Sequence, residues 1–283
     1  MSGHRFVRDV DWAAPSRDPN DEQFGDVVYR CDLDALDGAD APRAVLVGEP
    51  YDGAVIGREG ASAAPNAIRE ALAGVTTHHF DAGPVGPVGD LGNFHLSSNA
   101  SVRDVQTTAR AMARTLFDAA PVPVFLGGDN SLTVANAGGL LDATGAGLDG
   151  GASDEGRDGA GEDGETSVGV CNFDAHLDVR AVDSRPTSGT PYRQLYEAGL
   201  GDYACVGARH FETSTAYHDY VRDRGGTVVT AEEVGDDPVA ATTRALDALE
   251  VDHLLLSVDV DVLDAAAAPG VSAPTPGGLA TRE

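Results

Sequence analysis

The chain has 283 residues, enough to bury one large core, and carries 46 acidic against 19 basic side chains for a formal charge of −27 at pH 7. Such a surface repels polyanions, which argues against nucleic acid and anionic membrane as partners. All 19 basic residues are Arg, none is Lys, and the acids are spread rather than blocked. At about 1 M salt the screening length falls to about 3 Å, so this excess reads as adaptation to a salt-rich cytosol, a halophilic trait.

Cys31, Cys171 and Cys205 are odd in number and widely spaced, which suggests neither a disulfide framework nor a zinc knuckle. Cys171 and Cys205 lie inside apolar runs and read as small buried hydrophobes. The N-terminus has no apolar signal region, and no window reaches the length of a membrane span. The expected location is cytoplasmic, and the expected assembly a homo-oligomer.

In chain order, residues 1–40 are polar and acid-rich, broken by Pro15, Pro19 and Gly25, and read as an N-terminal arm over the surface of a single domain at 41–283. Residues 44–48 form the first buried-strand candidate, followed by a turn at 49–53 and a glycine-rich loop at 57–61 that fits neither a P-loop nor a dinucleotide fingerprint. Pro65 opens a helix that Gly74 ends. His78 and His79 are adjacent, so on a strand they point to opposite faces and do not read as a ligand pair. Val102, Val105, Ala109, Met112, Ala113, Leu116 and Phe117 make one apolar stripe on a helix over 101–119. A strand at 122–126 leads into Gly127-Gly128-Asp129-Asn130-Ser131-Leu132, which delivers polar side chains to the start of a helix. From Gly138 to Glu165 large apolar residues are scarce, and the segment 139–166 reads as a flexible acidic insertion.

The next strand candidate, 167–173, ends on Asp174, His176 and Asp178, spaced i, i+2, i+4. On extended backbone all three lean to one side, at the strand end where open α/β sheets bind ligands. Oxygen and imidazole donors without thiolates suit manganese or a similar divalent cation better than closed zinc sites. A second set, Asp259 and Asp261, follows the apolar run 253–256. Side by side in a parallel sheet, the two strand ends offer four carboxylates and one imidazole, enough for two cations. A helix near Tyr192, a strand at 203–207, a helix within 214–224, a strand at 227–230 and a helix over 238–249 complete an alternation that predicts a parallel sheet covered by helices on both faces.

From about Ala44 onward the chain resembles the ureohydrolase family, the manganese enzymes that include arginase, agmatinase and formimidoylglutamase. Three motifs carry the likeness: Gly127-Gly128-Asp129-Asn130-Ser131, Asn172-Phe173-Asp174-Ala175-His176-Leu177-Asp178, and Ser257-Val258-Asp259-Val260-Asp261 continued by residues 269–278. The resemblance implies an arginase-like three-layer α/β/α fold with a mainly parallel sheet and a centre of two Mn2+ per subunit. Asp174 and Asp259 would bridge the ions, His176, Asp178 and Asp261 would complete the shells, and Asn130 stands where most members have a His ligand. Residues 174–180 followed by 187–194 look most like the formimidoylglutamase branch, with Arg180 suited to a substrate bearing two carboxylates and Ser188 and Arg193 as further substrate contacts. The implied reaction is hydrolysis of N-formimidoyl-L-glutamate to L-glutamate and formamide, a step in histidine breakdown, with Asp178 passing the proton. Glu283 matches the family's substrate-binding carboxylate, but relatives continue beyond that point, so the C-terminal end reads as truncated. The alternatives are agmatinase or guanidinobutyrase activity, and a non-catalytic subunit disabled by Asn130 and the short tail.

Overall fold

The computed structural model describes residues 5–119, 121–146 and 166–283. Its elements are β1 (Phe6–Val7), α1 (Phe24–Val27), β2 (Val28–Arg30), β3 (Ala44–Gly48), α2 (Ala64–Ala73), β4 (His78–His79), β5 (Gly83–Pro84), β6 (Val88–Phe94), α3 (Val102–Phe117), β7 (Val122–Leu126) and α4 (Thr133–Thr144). They continue with β8 (Val168–Phe173), α5 (Pro191–Glu197), β9 (Asp202–Ala208), α6 (Thr215–Arg222), β10 (Thr227–Thr230), α7 (Ala231–Asp236), α8 (Pro238–Asp247) and β11 (His253–Val258).

The strands form two main ladders. One runs β1-β6-β3-β7, with β2 also on β6; the other is all parallel, in the order β10-β9-β8-β11. Side-chain alternation sorts each ladder into two faces. In the second, Val168, Val170, Tyr203 and Cys205 pack with Leu140, Leu195 and Val221 of α4, α5 and α6. Cys171, Ala204 and Val206 point the other way, onto Val234, Ala241 and Ala245 of α7 and α8. In the first, Val45, Val47 and Leu91 face the α3 stripe, while Leu46, Val88 and Leu126 face Trp12 and Phe24. Helices therefore cover both sides of mainly parallel sheets, as the alternation predicts. Among the described residues no helix is long and apolar enough to cross a membrane.

The N-terminal region is more than an arm. β1 pairs antiparallel and β2 parallel with β6, and Cys31 and Leu36 enter the core. β6 itself, buried along its whole length, is absent from the sequence expectation because Gly89, Asp90, Gly92 and Asn93 depress its strand propensity. Its polar residues serve Arg69 of α2: Nε and Nη2 grip the two oxygens of Asp90 at 2.9 and 2.8 Å, and Nη1 reaches Asn93 Oδ1 at 2.8 Å. The indole of Trp12 adds a bond to Asp90 at 2.7 Å.

Three further expectations change. Residues 138–144 belong to α4, where a Cβ on Gly139 would sit 2.6 Å from Ala113 Cβ; the glycines there let α3 and α4 approach closely. The rest of the insertion, 147–165, lies outside the described residues. Helix α7 was unforeseen, yet Thr230 and Glu233 close a capping box at its start. The run 253–256 reads as a buried strand, but β11 has one ladder neighbour among the described residues and Leu256 is 61% exposed.

Two predictions follow from buried charge. Asp90→Ala would strand the enclosed Arg69 guanidinium and should destabilise the fold by about 3–5 kcal/mol in a denaturant titration. Glu49, fully buried after β3, accepts Asn136 Nδ2 at 2.8 Å, and burial pushes its carboxyl up to about 7. Its folded value is raised, so the unfolded chain ionises first and stability should fall as pH rises from about 4.5 to about 7. Glu49→Gln should flatten that slope and be the more stable form above pH 7, by up to about 3 kcal/mol.

Candidate metal centre

Parallel register brings the candidate residues together. Phe173 of β8 lies opposite Val206 of β9 and Val258 of β11, so β8 and β11 release their chains at one level and β9 runs two residues further. Three peptide bonds then carry the register into the loops: Asp174 N–H donates to Val206 O (3.0 Å), Arg209 N–H to Ala175 O (3.0 Å) and Asp259 N–H to Phe173 O (2.8 Å).

Asp174 is fully buried; one carboxylate oxygen accepts His176 N–H (2.7 Å) and the other Asn172 Nδ2 (2.9 Å). His176 Nδ1 stands 3.4 Å from Asp174 Oδ1 and 3.2 Å from Asp261 Oδ2, and its Nε2 stands 3.1 Å from Glu212 Oε2. Ligand atoms of Asp174, His176 and Asp261 all lie within 4.8 Å of one another, the spacing of a cation site. Asp178 departs from the extended backbone that the i, i+2, i+4 argument assumes: its φ is +45°, in the left-handed region. It still turns inward, where Asn130 Nδ2 donates to Oδ2 at 2.5 Å. Asp259 Oδ1 accepts Asp261 N–H at 3.0 Å.

The electrostatics are those of too many anions. Burial, reinforced by Asp259 and Asp261, raises Asp174 to about 7; burial and the Asp261 charge raise Asp259 to about 7; burial and the Asp174 charge hold Asp178 well above the carboxylate range. Burial opposes charge on His176, yet its bonds to Asp174 and Asp261 push it up to about 11. Asp261 Oδ1 is buried without a hydrogen-bond partner among the described residues. An orphaned carboxylate oxygen amid mutually repelling acids fits a hard divalent cation, whose charge would offset them.

The other predicted residues sort differently. Asn130 Oδ1 already accepts Thr133 Oγ1 at 2.6 Å, leaving the amide nitrogen to face Asp178. Arg180 is exposed on a rim beside Gly189, where an added Cβ would sit 2.7 Å from Arg180 Cδ and 3.0 Å from Ile56 Cδ1. Ser188 N–H ties that rim to Ala54 O at 2.9 Å. Arg193 is diverted from the expected substrate contact: its guanidinium donates twice to Val179 O and stacks 3.6 Å from the Tyr220 ring centre. Glu283 lies outside the cluster, its carboxylate accepting Ala280 N–H at 2.8 Å beside Gly235 of α7. His78 and His79 are exposed on β4.

Arg209 and Glu212 are the site residues that sequence reasoning missed. Arg209 is 5% exposed, donates to the carbonyls of Asp261 and Leu263, and reaches Glu212 Oε1 at 3.3 Å. An arginine two residues after the buried run 203–207 was the available signal, because a charge at a buried strand end requires partners.

Comparison with known proteins agrees with this geometry. The arginase family model matches residues 42–283. A formimidoylglutamase of Halobacterium salinarum is 52% identical over 280 residues, covering 98% of this chain and 84% of the relative. A formimidoylglutamase of Bacillus subtilis is 30% identical over 270 residues, covering 91% of this chain and 78% of the relative. Among solved structures, formimidoylglutamase from Bacillus subtilis superposes with a TM-score of 0.78 at 26% identity, covering 98% of this chain and 81% of that one. Trypanosoma cruzi formiminoglutamase, solved with Mn2+, superposes with a TM-score of 0.72 at 27% identity, covering 88% and 82%. A family match over most of the chain, joined to strand ends that gather the aspartates and histidine of the motifs, establishes that the chain belongs to the arginase family.

Proposed function

We propose that this chain hydrolyses N-formimidoyl-L-glutamate to L-glutamate and formamide, in histidine degradation, with two Mn2+ per subunit. The observation that carries the chemistry is the convergence of Asp174, His176 and Asp261 within 4.8 Å, with Asp178 and Asp259 alongside. The substrate follows from the 52% identical formimidoylglutamase that aligns with nearly the whole chain.

In this reading Asp174, His176, Asp178, Asp259 and Asp261 hold the metal. Bound Mn2+ supplies the field that ionises water near neutral pH and offsets the carboxylate charge. The protein's own groups do the rest. Asn130, anchored by Thr133, orients Asp178 through its amide N–H and leaves that carboxyl directed into the site, positioned to pass a proton to the departing glutamate nitrogen. Arg180, on the rim two residues beyond Asp178, offers a planar fork to a substrate carboxylate, and Ser188 lies on the same rim. A guanidino substrate with a cationic tail would meet repulsion from Arg180, which disfavours agmatinase-type activity. The charge of −27, the all-Arg basic set and the Halobacterium relative support work in a salt-rich cytoplasm.

Formamide release from N-formimidoyl-L-glutamate, assayed in molar salt, should require Mn2+ and vanish in Asp259→Ala. Urea release from guanidino compounds at a higher rate, or equal turnover without metal, would overturn the assignment. Arg180→Ala should raise KM roughly tenfold or more with a smaller change in kcat, as expected for losing one charge-assisted contact. Mn2+ at a hundred times its Kd should add about 2.7 kcal/mol of stability to the unsubstituted protein, and a melting-temperature shift should report it; Asp261→Ala should lose most of that shift.

A further inference from the structure

We propose that Glu212 and Arg209 act as a positioning pair that decides which nitrogen of His176 is offered to the cation. The inference rests on the cation site proposed above and assigns the residues that orient its imidazole. An imidazole that ligates a cation is neutral, with one N–H and one lone pair on opposite sides of the ring. Nε2 lies 3.1 Å from a Glu212 carboxylate oxygen, and a lone pair there would face a negative charge. The N–H therefore sits on Nε2 and donates to Glu212. The Nδ1 lone pair is turned toward Asp174 and Asp261, at 3.4 and 3.2 Å, an arrangement that makes sense with a cation among the three.

Glu212 is itself held. Arg209 Nη1 reaches both of its oxygens, at 3.3 and 3.5 Å, while Nη2 donates to the carbonyls of Asp261 and Leu263. One buried guanidinium thus ties the support of His176 to the loop that carries Asp261. Phe211, between the pair, has φ +68° and a fully exposed ring. That left-handed backbone is costly for a bulky residue and directly precedes Glu212, whose carboxylate meets the imidazole at Nε2.

The test is calorimetric titration of Mn2+ into the metal-free protein, Glu212→Ala and Glu212→Gln, with the melting temperature of each metal-free form. The expected result is a 10–100-fold weaker Mn2+ affinity in Glu212→Ala with little change in metal-free melting, the usual effect of losing the partner of a metal-binding histidine. Glu212→Gln keeps an acceptor oxygen and should recover most of the affinity. Nitrogen NMR of the Zn2+-loaded protein should show His176 protonated at Nε2 and ligated through Nδ1. Glu212→Ala binding Mn2+ within twofold of the unsubstituted protein, or ligation through Nε2, would overturn the pair alone. Absence of Mn2+ binding by the unsubstituted protein would overturn the cation site and the pair with it. If Glu212→Ala fails to fold, Glu212→Gln and the nitrogen spectrum decide.

Discussion

The structure depends on the parallel register of β8 between β9 and β11. Because Phe173 is level with both Val206 and Val258, the segments after β8 and β11 leave the sheet together beside the last residues of β9, and all three are laced by peptide hydrogen bonds. Four aspartates and a histidine are then forced into one volume, although like charges in a low-dielectric setting repel strongly. Raised carboxyl values at Asp174, Asp178 and Asp259 are the local expression of that crowding. Cohesion of the sheet core, built from Val168, Val170, Cys171, Tyr203 and Cys205, is what holds the acids in place.

Elsewhere two buried acids are matched, Asp90 by Arg69 and the Trp12 indole and Asp129 by the N–H groups of Ala54 and Ser131, whereas Glu49 meets only Asn136 among the described residues and answers with a raised carboxyl. At the candidate centre Arg209 is the buried guanidinium, and it is directed to carbonyl oxygens and Glu212 rather than to the Asp174–Asp261 cluster. The aspartates are left to a ligand. That contrast separates a binding site from an ordinary buried ion pair more clearly than the spacing of the aspartates does.

Much of this was legible in the sequence, for identifiable reasons. Strands 44–48, 122–126 and 227–230 are short β-branched runs bounded by turn residues, and they appear with the expected bounds. The Asp-x-His-x-Asp and Asp-x-Asp spacings marked the centre, although the first works through a left-handed Asp178 and not through strand alternation. Less visible were features set by tertiary partners. β6 is a central strand whose Asp90 and Asn93 make sense only once Arg69 is seen beside them. Arg193 reads as a substrate contact until Tyr220 and the Val179 carbonyl occupy it. Glu212 carries no motif; only the fold brings it to His176.

The strand ends of β8 and β11 gather their acids with no guanidinium among the described residues directed at them, and paired cations are the charge that offsets them. Anomalous diffraction at the manganese edge, on crystals grown with Mn2+, tests it most directly. Two manganese peaks are expected, with Asp174, Asp259 and Asp261 oxygens and His176 Nδ1 within bonding distance. Manganese bound elsewhere, with the carboxylates of 174–178 and 259–261 diverging from any shared ion, would contradict it.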